Sequence, residues 1–476
     1  MLLLAGCGGP DHDGSFVTVS ATGFELQGKP YFPLAINYIA TLNVHGDSLW
    51  ISPTPNYASH DPAILGTKAA DVHAFRADME LVHDMGFNTV RIVGCTDILF
   101  DRDSAWTMAR TAAHTDTAIW LGRPGEYERY LDALAGMMDA IRDAGLHLIL
   151  LAQVRPYRPL SDAHFARIAD RFVDEPTILA YDLFNEPLYF DRPERPKREA
   201  WELLRHWRDL FDAHAPNQLY TLGLTGIRET FEFDPNMLGV DFISYHPYEY
   251  EPEQVRNELR WYHNNVDVPW IIGETAIPAD NDSVPFEEQR AFAEKTLRQS
   301  RACGAIGYSW WQYQDVLWNR FHADHMGVLD RNGVTRTSMS HFEVRGTPKP
   351  VVEAIRHFDP WLDPGECLCL PNYLNYSEGR MCKVSGRLVD MEGNPINEGT
   401  IIAWNEHWSA SHHSTSGADG RFEVRSPFWL HHWMVSATRY SMDRGDCDPN
   451  GFRRAADGIP AYELGDIVLE RLPFID

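Results

Sequence analysis

The segments Ile178–Pro187, ILAYDLFNEP, and Trp270–Thr275, WIIGET, share one pattern and decide the fold. In each segment a run of mostly apolar side chains leads directly to a glutamate, Glu186 in the first and Glu274 in the second. Short apolar runs of this kind predict buried strands of a parallel sheet. The carboxyl ends of parallel strands meet on one face, so the pattern places both glutamates on that face.

Outward from these segments, apolar strand-like runs alternate with helix-like runs along most of the chain. The predicted strands are Tyr31–Asn37, Phe87–Val93, Leu146–Ala152, Ile178–Phe184, Gln218–Leu224, Val240–Ser244, Trp270–Gly273 and Ala305–Trp311. Eight strands that alternate with helices predict an α/β fold, a (β/α)8 TIM barrel. On periodicity alone an open doubly wound sheet is the alternative, but no glycine-rich phosphate-binding fingerprint follows an early strand.

Three long connections follow the first, second and eighth predicted strands: Ile39–Ala70, Cys95–Pro124 and Gln314–Thr347. In such barrels the segments after the strands build the active-site face. The aromatic and histidine side chains that they carry are Trp50, Tyr57, Trp106, Trp120, Trp318 and His322. We interpret these side chains as cleft walls, with local packing of the long connections as the alternative.

A second, smaller domain follows a proline-containing boundary at Asp359–Glu366. Beyond it, short alternating strands and turns predict an all-β module. Its segments Val384–Asp390, Gly393–Ile396 and Gly417–Phe422 resemble the carboxypeptidase-regulatory-like β-sandwich. We therefore divide the chain into residues 1–14, a leader and tether; residues 15–362, the barrel; and residues 363–476, the small all-β sandwich.

Composition excludes several classes of protein. The 476 residues carry 42 Lys and Arg against 68 Asp and Glu, a net charge of −26, which is unfavourable for a nucleic-acid partner because phosphate binding needs clustered basic charge. No run reaches the roughly 18 apolar residues of a membrane-spanning helix. A hydrophobic content of 44% is that of a folded chain with a core. A neutral substrate is not repelled by the negative field.

The N-terminal stretch Leu4-Ala5-Gly6-Cys7 resembles the lipobox of bacterial lipoproteins. The resemblance implies that residues 1–6 are removed, that Cys7 receives the lipid and that residues 8–14 form a tether. We therefore expect an exported lipoprotein, anchored to a membrane at the cell surface or in the periplasm. An accidentally hydrophobic N-terminus is the alternative.

The remaining cysteines are too few for a disulfide scaffold. Cys95 and Cys303 lie in apolar stretches and are predicted to be small core residues. Four others lie toward the C-terminus, where disulfides or free thiols are both open: Cys367, Cys369, Cys382 and Cys447.

A pair of carboxylates that face each other across one bond is the equipment of glycoside hydrolysis. One carboxyl group, protonated, gives its proton to the leaving oxygen, and the other attacks the sugar or activates water. Glu186 and Glu274 are the candidates because both directly follow strands that end on the barrel's carboxyl face.

The motifs around these glutamates resemble those of clan-A glycoside hydrolases, and most closely the cellulase/β-mannanase family, glycoside hydrolase family 5. The matching segments are Gly23–Phe32, Met85–Arg91, Asn185–Pro187, Ser244–Tyr248, Gly273–Glu274 and Trp310–Tyr313. The resemblance covers roughly residues 20–360 and implies a retaining reaction. It also implies that Glu186 is the acid/base and Glu274 the nucleophile, whose ionised form Arg91 and Tyr248 would stabilise.

The same resemblance implies roles for further residues. Asn185 would bind the 2-hydroxyl of the sugar, and His246 would orient the acid/base or a hydroxyl of the substrate. Trp311 rather than Trp310 would lie under the reacting ring, because strand alternation lets only one face inward. Gln153 stands where the family often has a histidine at the end of the third strand. Asn37, at the end of the first strand, completes the supporting set.

These residues and the family resemblance predict a retaining β-glycoside hydrolase that cleaves a neutral β-linked polysaccharide or oligosaccharide of the mannan or glucan type. Its mechanism requires neither a metal ion nor an organic cofactor, and no obligate protein partner is implied. A non-catalytic, glycan-binding surface lipoprotein on a barrel scaffold is the alternative. A metal-dependent barrel hydrolase would need a His-x-His after the first strand, where this chain has Ile36-Asn37-Tyr38.

Overall fold

The described residues of the computed structural model are 16–55, 57, 67–101, 104–111, 115–191, 195–248, 252–316, 318, 320–330, 346–368 and 379–475. Eight parallel strands follow one another around a barrel, each hydrogen-bonded to the next. They are Leu34–His45, Thr89–Val93, His147–Leu151, Ile178–Asn185, Leu219–Leu224, Phe242–Tyr245, Trp270–Ile272 and Tyr308–Trp310. The eighth strand pairs with the first, Tyr308 opposite Leu34, so the sheet is closed and the open-sheet alternative is wrong.

Most of the described helices cover the outside of the barrel. The described α-helices are Lys68–Asp84, Glu126–Asp143, Pro159–Arg171, Pro187–Phe190, Lys197–His214, Pro252–Asn265, Phe286–Ala302, Phe321–Asp324 and Val351–Arg356. In Lys197–His214, the residues Ala200, Leu204, Trp207 and Phe211 recur at three- or four-residue spacing and are buried. Such a stripe packs against the apolar strands, and Trp207 stacks on Phe184 of the fourth strand at 5.9 Å.

An antiparallel sheet of three short strands closes the end of the barrel opposite the active-site face. Its strands are Val17–Ser20, Gly23–Leu26 and Lys29–Tyr31. Val17 and Phe24 belong to a buried cluster that includes Ile149 and Ile271 of the barrel strands. This end of the barrel is therefore filled by side chains, so any ligand must enter at the carboxyl ends of the strands.

The long connections after the first and second strands contain strands that were not predicted from the sequence. The first barrel strand continues to His45 and pairs antiparallel with Ser48–Pro53. The segments Leu99–Asp101, Ser104–Thr111 and Asp116–Trp120 extend the same sheet. This pairing joins segments that are distant along the chain, so local periodicity gives little sign of it.

The C-terminal part consists of two four-stranded sheets around a separate core. One has the strand order Arg421–Ser426, Cys382–Val389, Pro460–Val468, Arg453–Arg454, and the other Ser411–Thr415, Thr400–Trp404, His432–Ser436, Met442–Asp446. Inward-facing residues such as Val384, Ile401, Val424 and Val435 form the core between them. The predicted small all-β sandwich domain is therefore present. Its predicted limits, 363–476, stay a prediction.

The sandwich packs against the barrel through buried polar contacts as well as apolar ones. Lys197 donates from Nζ to Asp234 Oδ2 at 2.8 Å and to the carbonyl oxygen of Ala437 in the sandwich at 2.9 Å. Trp261 donates from Nε1 to the carbonyl oxygen of Glu398 at 2.9 Å. These bonds fix one side of the sandwich to the helices that follow the fourth and sixth strands.

The prediction that Cys303 is a small core thiol is wrong. Cys303 forms a disulfide with Cys367, 64 residues later, across a Cα–Cα distance of 4.6 Å. It lies at the end of the helix Phe286–Ala302, where the segment after the last barrel helix passes, and the sequence does not reveal that proximity. Cys95, Cys382 and Cys447 are free and buried. Cys7 and Cys369 lie outside the described residues.

Among the described residues, no helix combines the length and the apolar character needed to cross a membrane.

Candidate active site

Glu186 and Glu274 both stand at the carboxyl ends of barrel strands. Glu186 follows the fourth strand with its backbone in the left-handed region, at φ 47°. Its N–H donates to the carbonyl oxygen of Gly223 on the fifth strand at 2.9 Å. A non-glycine residue in this region costs of order 1–3 kcal/mol and clusters at functional sites. Here the turn carries the chain from the strand directly into the short helix Pro187–Phe190.

The two carboxylates lie close together around one imidazole. One oxygen of Glu186, one oxygen of Glu274 and one ring nitrogen of His246 lie within 4.8 Å of one another. His246 Nδ1 is 2.9 Å from Glu186 Oε1 and 3.8 Å from Glu274 Oε1. The structure thus brings together two glutamates that are 88 positions apart in the sequence.

Arg91 is fully buried and ties three strands to Glu274. Its Nη1 donates to Glu274 Oε1 at 2.5 Å and to Asn37 Oδ1 at 2.8 Å. Its Nη2 donates to Asp182 Oδ2 and to Asn185 Oδ1, each at 2.7 Å. Burial alone would lower the pKa of Arg91, but the charges of Asp182 and Glu274 raise it above its ordinary value. Arg91 is therefore a permanent cation beside Glu274.

Tyr248 and His246 present defined protonation states to the two carboxylates. Burial and the charge of Glu274 raise the pKa of Tyr248 well above its ordinary value, so its hydroxyl donates to Glu274 Oε2 at 2.7 Å. Burial lowers the pKa of His246 to about 4, although the charge of Glu274 opposes that shift. His246 is therefore neutral at neutral pH, with Nδ1 against Glu186 and Nε2 at 3.2 Å from Ser244 Oγ.

Two glycines make room for this imidazole. A Cβ atom at Gly273 would lie 1.8 Å from Ser244 Oγ and 2.9 Å from His246 Nε2. A Cβ atom at Gly223 would lie 2.8 Å from His246 Cε1. The ring thus occupies the space that side chains at the fifth and seventh strands would otherwise fill.

The carboxylates open into a cavity of about 470 Å³ on the carboxyl face. Of the predicted site residues, its lining includes Gln153, Asn185, Glu186, Tyr248, Glu274 and Trp311. Trp311 is partly exposed there, whereas Trp310 is buried and donates from Nε1 to the carbonyl oxygen of Met326 at 2.8 Å. Gln153 accepts at Oε1 from the N–H of Asn185 at 3.2 Å.

Arg91, His246 and Asn37 are buried beneath this lining. Asn37 donates from Nδ2 to the carbonyl oxygen of Gly273 at 2.9 Å and accepts from Arg91 at Oδ1. It holds the guanidinium and the end of the seventh strand, so its position is that of a support rather than a substrate contact.

Several sequence-based interpretations of the aromatic residues are corrected. Trp50 and Tyr57 are buried away from the cavity: Trp50 donates from Nε1 to Asp71 Oδ2 at 2.7 Å, and the hydroxyl of Tyr57 accepts from the N–H of Ile39 at 2.7 Å. Trp106 and Trp120 pair with each other at 5.9 Å. Local packing therefore describes these four better than cleft walls. The side chain of His322 lies outside the described residues.

Two acidic residues at or next to the site, Asp182 and Glu229, were not predicted from the sequence. Asp182 is a charge inside the otherwise apolar fourth strand, and that misfit could have signalled a buried partner such as Arg91. Glu229 lies in the short 3₁₀ helix Ile227–Phe231, which has no periodic pattern. Burial raises the pKa of Glu229 to about 8, against backbone hydrogen bonds from Leu188 and Thr225 that lower it.

Two carboxylates and an imidazole this close could also serve as metal ligands. The Arg91 cation at 2.5 Å from Glu274 already neutralises that carboxylate, which disfavours a second positive charge there. With a guanidinium, a tyrosine hydroxyl and a neutral imidazole around them, the two carboxylates differ in environment. That difference suits one for nucleophilic attack and the other for proton transfer.

The fold is a closed (β/α)8 barrel, and paired glutamates stand at the ends of its fourth and seventh strands. This combination of fold and site is that of a glycoside hydrolase. The sequence model of the family "Cellulase (glycosyl hydrolase family 5)" matches residues 67–314, just over half of the chain. The chain belongs to glycosyl hydrolase family 5.

Solved structures with a similar fold include a GH5_18 protein from Streptomyces cattleya in complex with GlcNAc, at 17% identity and TM-score 0.47, covering 75% of this chain and 84% of that one. A family 5 mannosidase from Rhizomucor miehei matches at 14% identity and TM-score 0.44, over 72% and 96% of the two chains. A β-glucuronidase from Bifidobacterium dentium matches at 17% identity and TM-score 0.46, over 72% and 48%. The chain spans about half the length of the β-glucuronidases that it matches. No curated protein sequence matches it.

Proposed function

We propose that the protein is a retaining β-glycoside hydrolase that cleaves a neutral β-linked polysaccharide or oligosaccharide of the mannan or glucan type. The observation that carries this proposal is the approach of Glu186 and Glu274: one oxygen of each and one ring nitrogen of His246 lie within 4.8 Å of one another. Retaining glycosidases hold their carboxyl groups about 5–5.5 Å apart, whereas inverting enzymes need about 6.5–9.5 Å to admit a water. The short spacing supports the retaining class.

Glu274 is the nucleophile in this proposal. Arg91 and Tyr248 each donate to one of its oxygens, and both donors favour the ionised carboxylate. One oxygen of Glu274 attacks the anomeric carbon as the bond to the leaving oxygen breaks. The product of this step is a glycosyl ester of Glu274 and a protonated leaving group.

Glu186 transfers the proton in both steps. It gives its proton to the leaving oxygen in the first step and takes a proton from water in the second, as that water attacks the anomeric carbon and releases Glu274. A neutral His246 can accept from the acid or donate to the carboxylate, depending on its tautomer. The Ser244 hydroxyl at the other ring nitrogen can likewise donate or accept, so either tautomer is satisfied.

Three residues around the carboxylates suit a neutral sugar. Arg91 donates a hydrogen bond to Oδ1 of Asn185 and so fixes the orientation of this amide. The Nδ2 donors of Asn185 are therefore directed to other partners, such as the 2-hydroxyl of the sugar. Trp311 offers a partly exposed aromatic face on the cavity wall, and Gln153 can exchange hydrogen bonds with a hydroxyl. The net charge of −26 disfavours an anionic glycan.

The test measures the wild type and the variants Glu186→Ala and Glu274→Ala on mannan, glucan, xylan and galactan. We expect cleavage by the wild type and a loss of about a thousandfold or more in each variant. Glu202→Ala is the matched control, since Glu202 is 65% exposed on an outer helix. Proton NMR of the first-formed anomer decides between retention and inversion. A wild type that binds a glycan but cleaves none would favour the glycan-binding alternative.

Azide rescue separates the two glutamates. With an activated aryl β-glycoside, Glu274→Ala should give the inverted glycosyl azide, because azide replaces the missing nucleophile. Glu186→Ala should give the retained azide, because azide replaces the water of the second step. The opposite pairing of products would reverse the two assignments.

We also propose that the protein is exported and held at a membrane by a lipid on Cys7. The Cys303–Cys367 disulfide supports an oxidising compartment. The test expresses the full chain in a bacterial host and follows its partition between detergent-rich and aqueous phases. Wild type should enter the detergent phase and Cys7→Ser the aqueous phase; equal partition of both would contradict the lipid anchor.

A further inference from the structure

Glu229 connects the two strand ends that border the acid/base residue. Its side chain is buried, with 2% of its surface exposed. Its Oε1 accepts from the N–H of Leu188 at 2.6 Å, and its Oε2 accepts from the N–H of Thr225. Leu188 is two residues beyond Glu186, and Thr225 directly follows the fifth strand and lines the cavity.

The bond to Leu188 acts where the chain needs support. The first N–H groups of a helix have no partner inside the helix, and Leu188 lies in the first turn of Pro187–Phe190. The residue just before this turn, Glu186, holds a left-handed backbone conformation that its surroundings must enforce. The hydrogen bond from the N–H of Leu188 to the buried side chain of Glu229 therefore restrains the direction in which the Glu186 side chain leaves the backbone.

The opposite side of the Glu229 segment rests on the β-sandwich. Phe231, at the end of the same 3₁₀ helix, is buried in a cluster with Ile402 and Met434 of the sandwich. These two residues lie on the neighbouring strands Thr400–Trp404 and His432–Ser436. Trp408 and Met442 pack around the same cluster.

The polar contacts next to this cluster keep the segment in place. Asp234, three residues beyond Phe231, accepts from Lys197 Nζ at 2.8 Å and from the N–H of Arg439 in the sandwich at 2.7 Å. The segment from Glu229 to Asp234 is therefore held by the sandwich on one side and contacts the acid/base turn on the other.

We propose that Glu229 is a positioning residue for the acid/base Glu186, and that the β-sandwich supports the acid/base through the segment that carries Glu229 and Phe231. The inference rests on the proposed function of Glu186. It assigns the C-terminal domain a part in proton transfer to the leaving group, although none of the described residues of that domain lines the cavity.

The test uses a leaving-group series, because acid catalysis matters only when the leaving group needs a proton. Dinitrophenyl β-glycosides leave without protonation, whereas phenyl β-glycosides require it. A misplaced acid/base should lower kcat/KM for the phenyl substrate and spare the dinitrophenyl substrate in the glycosylation step. A general loss of structure would lower both alike.

We expect Glu229→Gln to lower kcat/KM about ten- to a hundredfold for phenyl glycosides of the sugar that the wild type hydrolyses, and less than about threefold for dinitrophenyl glycosides. The amide keeps the volume of the side chain but turns one donor toward a backbone N–H, so one of the two bonds is lost. Phe231→Ala should shift the series in the same direction by a smaller factor.

Two comparisons make the outcome decisive. Glu258→Gln is the matched control, because Glu258 is also buried beside the sandwich. Its side chain accepts a hydrogen bond from the hydroxyl of Tyr245 and not from the acid/base turn. We therefore expect the activity of Glu258→Gln not to depend on the leaving group. Glu186→Ala is the reference and should show the steepest dependence.

If the activity of Glu186→Ala does not depend on the leaving group, the proposed function of Glu186 fails. If Glu186→Ala shows that dependence, but Glu229→Gln and Phe231→Ala lose activity equally on both substrates or lose none, the proposed role of Glu229 and the sandwich is overturned. Urea unfolding verifies that each variant is folded. Should Glu229→Gln not fold, Phe231→Ala alone decides, by the same comparison.

Discussion

Arg91 donates from Nη1 to Glu274 Oε1 at 2.5 Å, and neither side chain has more than 6% of its surface exposed. The same guanidinium contacts Asp182 at 2.7 Å, so one buried cation serves two buried carboxylates. Such a cluster is stable only while each charge keeps its partner, because an unpaired charge inside a protein is costly. The geometry of the proposed nucleophile and the stability of the barrel thus depend on one residue.

Arg91→Met should therefore both inactivate and destabilise the protein. We expect the free energy of unfolding, measured in urea, to fall by about 3–5 kcal/mol, because Asp182 and Glu274 remain buried without a cation. Arg76→Met is the control. Arg76 and Asp143 form an ion pair at a similar distance, 2.6 Å, but their side chains are 40% and 56% exposed. Loss of this pair should lower the free energy of unfolding by about 1 kcal/mol or less. Similar losses in both variants would contradict the prediction.

Gly273→Ala should prevent the site from forming. The new Cβ would lie 1.8 Å from Ser244 Oγ and 2.9 Å from His246 Nε2, so the seventh strand or these two side chains would have to move. We expect loss of activity and a fall of about 1–3 kcal/mol in the free energy of unfolding.

Gly136→Ala provides the opposite case. Gly136 lies in the middle of the helix Glu126–Asp143, on its exposed face, with open space around its Cβ position. Alanine at this position should therefore stabilise the protein by about 0.5–1 kcal/mol.

Full activity in Gly273→Ala would show that the His246 pocket is looser than the structure indicates.

The sequence predicted the barrel well because its elements follow local rules. The fourth strand, Ile178–Asn185, and the fifth, Leu219–Leu224, each differ from their predictions by one residue. The first strand differs more: it runs on to His45, because the extension pairs with Ser48–Pro53 outside the barrel. Periodicity detects burial on a face, and it does not detect which distant segment provides a partner.

The same distinction separates the parts of the site. Glu186 and Glu274 follow apolar strands, so their position could be predicted from the sequence, while their catalytic roles stay predictions. Asp182 carried a signal, a charge within a buried strand. Glu229 carried none, because its partners are backbone N–H groups of Leu188 and Thr225, and any residue type supplies those.

The neutral state of His246 predicts a pH-dependent stability. Its pKa in the folded protein is about 4, below the ordinary value of 6.5, so between these values the unfolded chain binds a proton that the folded chain does not. The stability that neutral His246 contributes is fully present above pH 6.5 and is lost as the pH falls toward 4. Its full extent is on the order of 3 kcal/mol.

The measurement compares the wild type with His246→Asn by urea unfolding from pH 7 to pH 4. The difference in unfolding free energy between the two should shrink as the pH falls, since the variant lacks the titrating ring. Other buried groups, among them His164 and Glu229, titrate in both proteins and cancel in the difference. A difference that does not change with pH would mean that His246 is not buried in its neutral form.

The Cys303–Cys367 disulfide should stabilise the barrel by restricting the unfolded chain. It closes a separation of 64 residues, for which loop entropy gives about 4 kcal/mol. The double variant Cys303→Ser, Cys367→Ser should therefore unfold at lower urea concentration. Reductant should shift the wild type toward the double variant and leave the double variant unchanged; an equal effect of reductant on both would place the sensitivity elsewhere.

The neighbouring Trp310 and Trp311 should respond to substitution in opposite ways, because only one of them lines the cavity. Trp310 is buried and bonded to the carbonyl oxygen of Met326, so Trp310→Ala should cost about 3–5 kcal/mol of unfolding free energy. Trp311 is partly exposed beside Glu186 and Glu274, so Trp311→Ala should cost about 1 kcal/mol but lower kcat/KM about tenfold or more. Urea unfolding and steady-state kinetics on the two variants measure both effects. If Trp311→Ala proved the more destabilising variant and kept its activity, Trp311 would be part of the core and the sugar would need another platform.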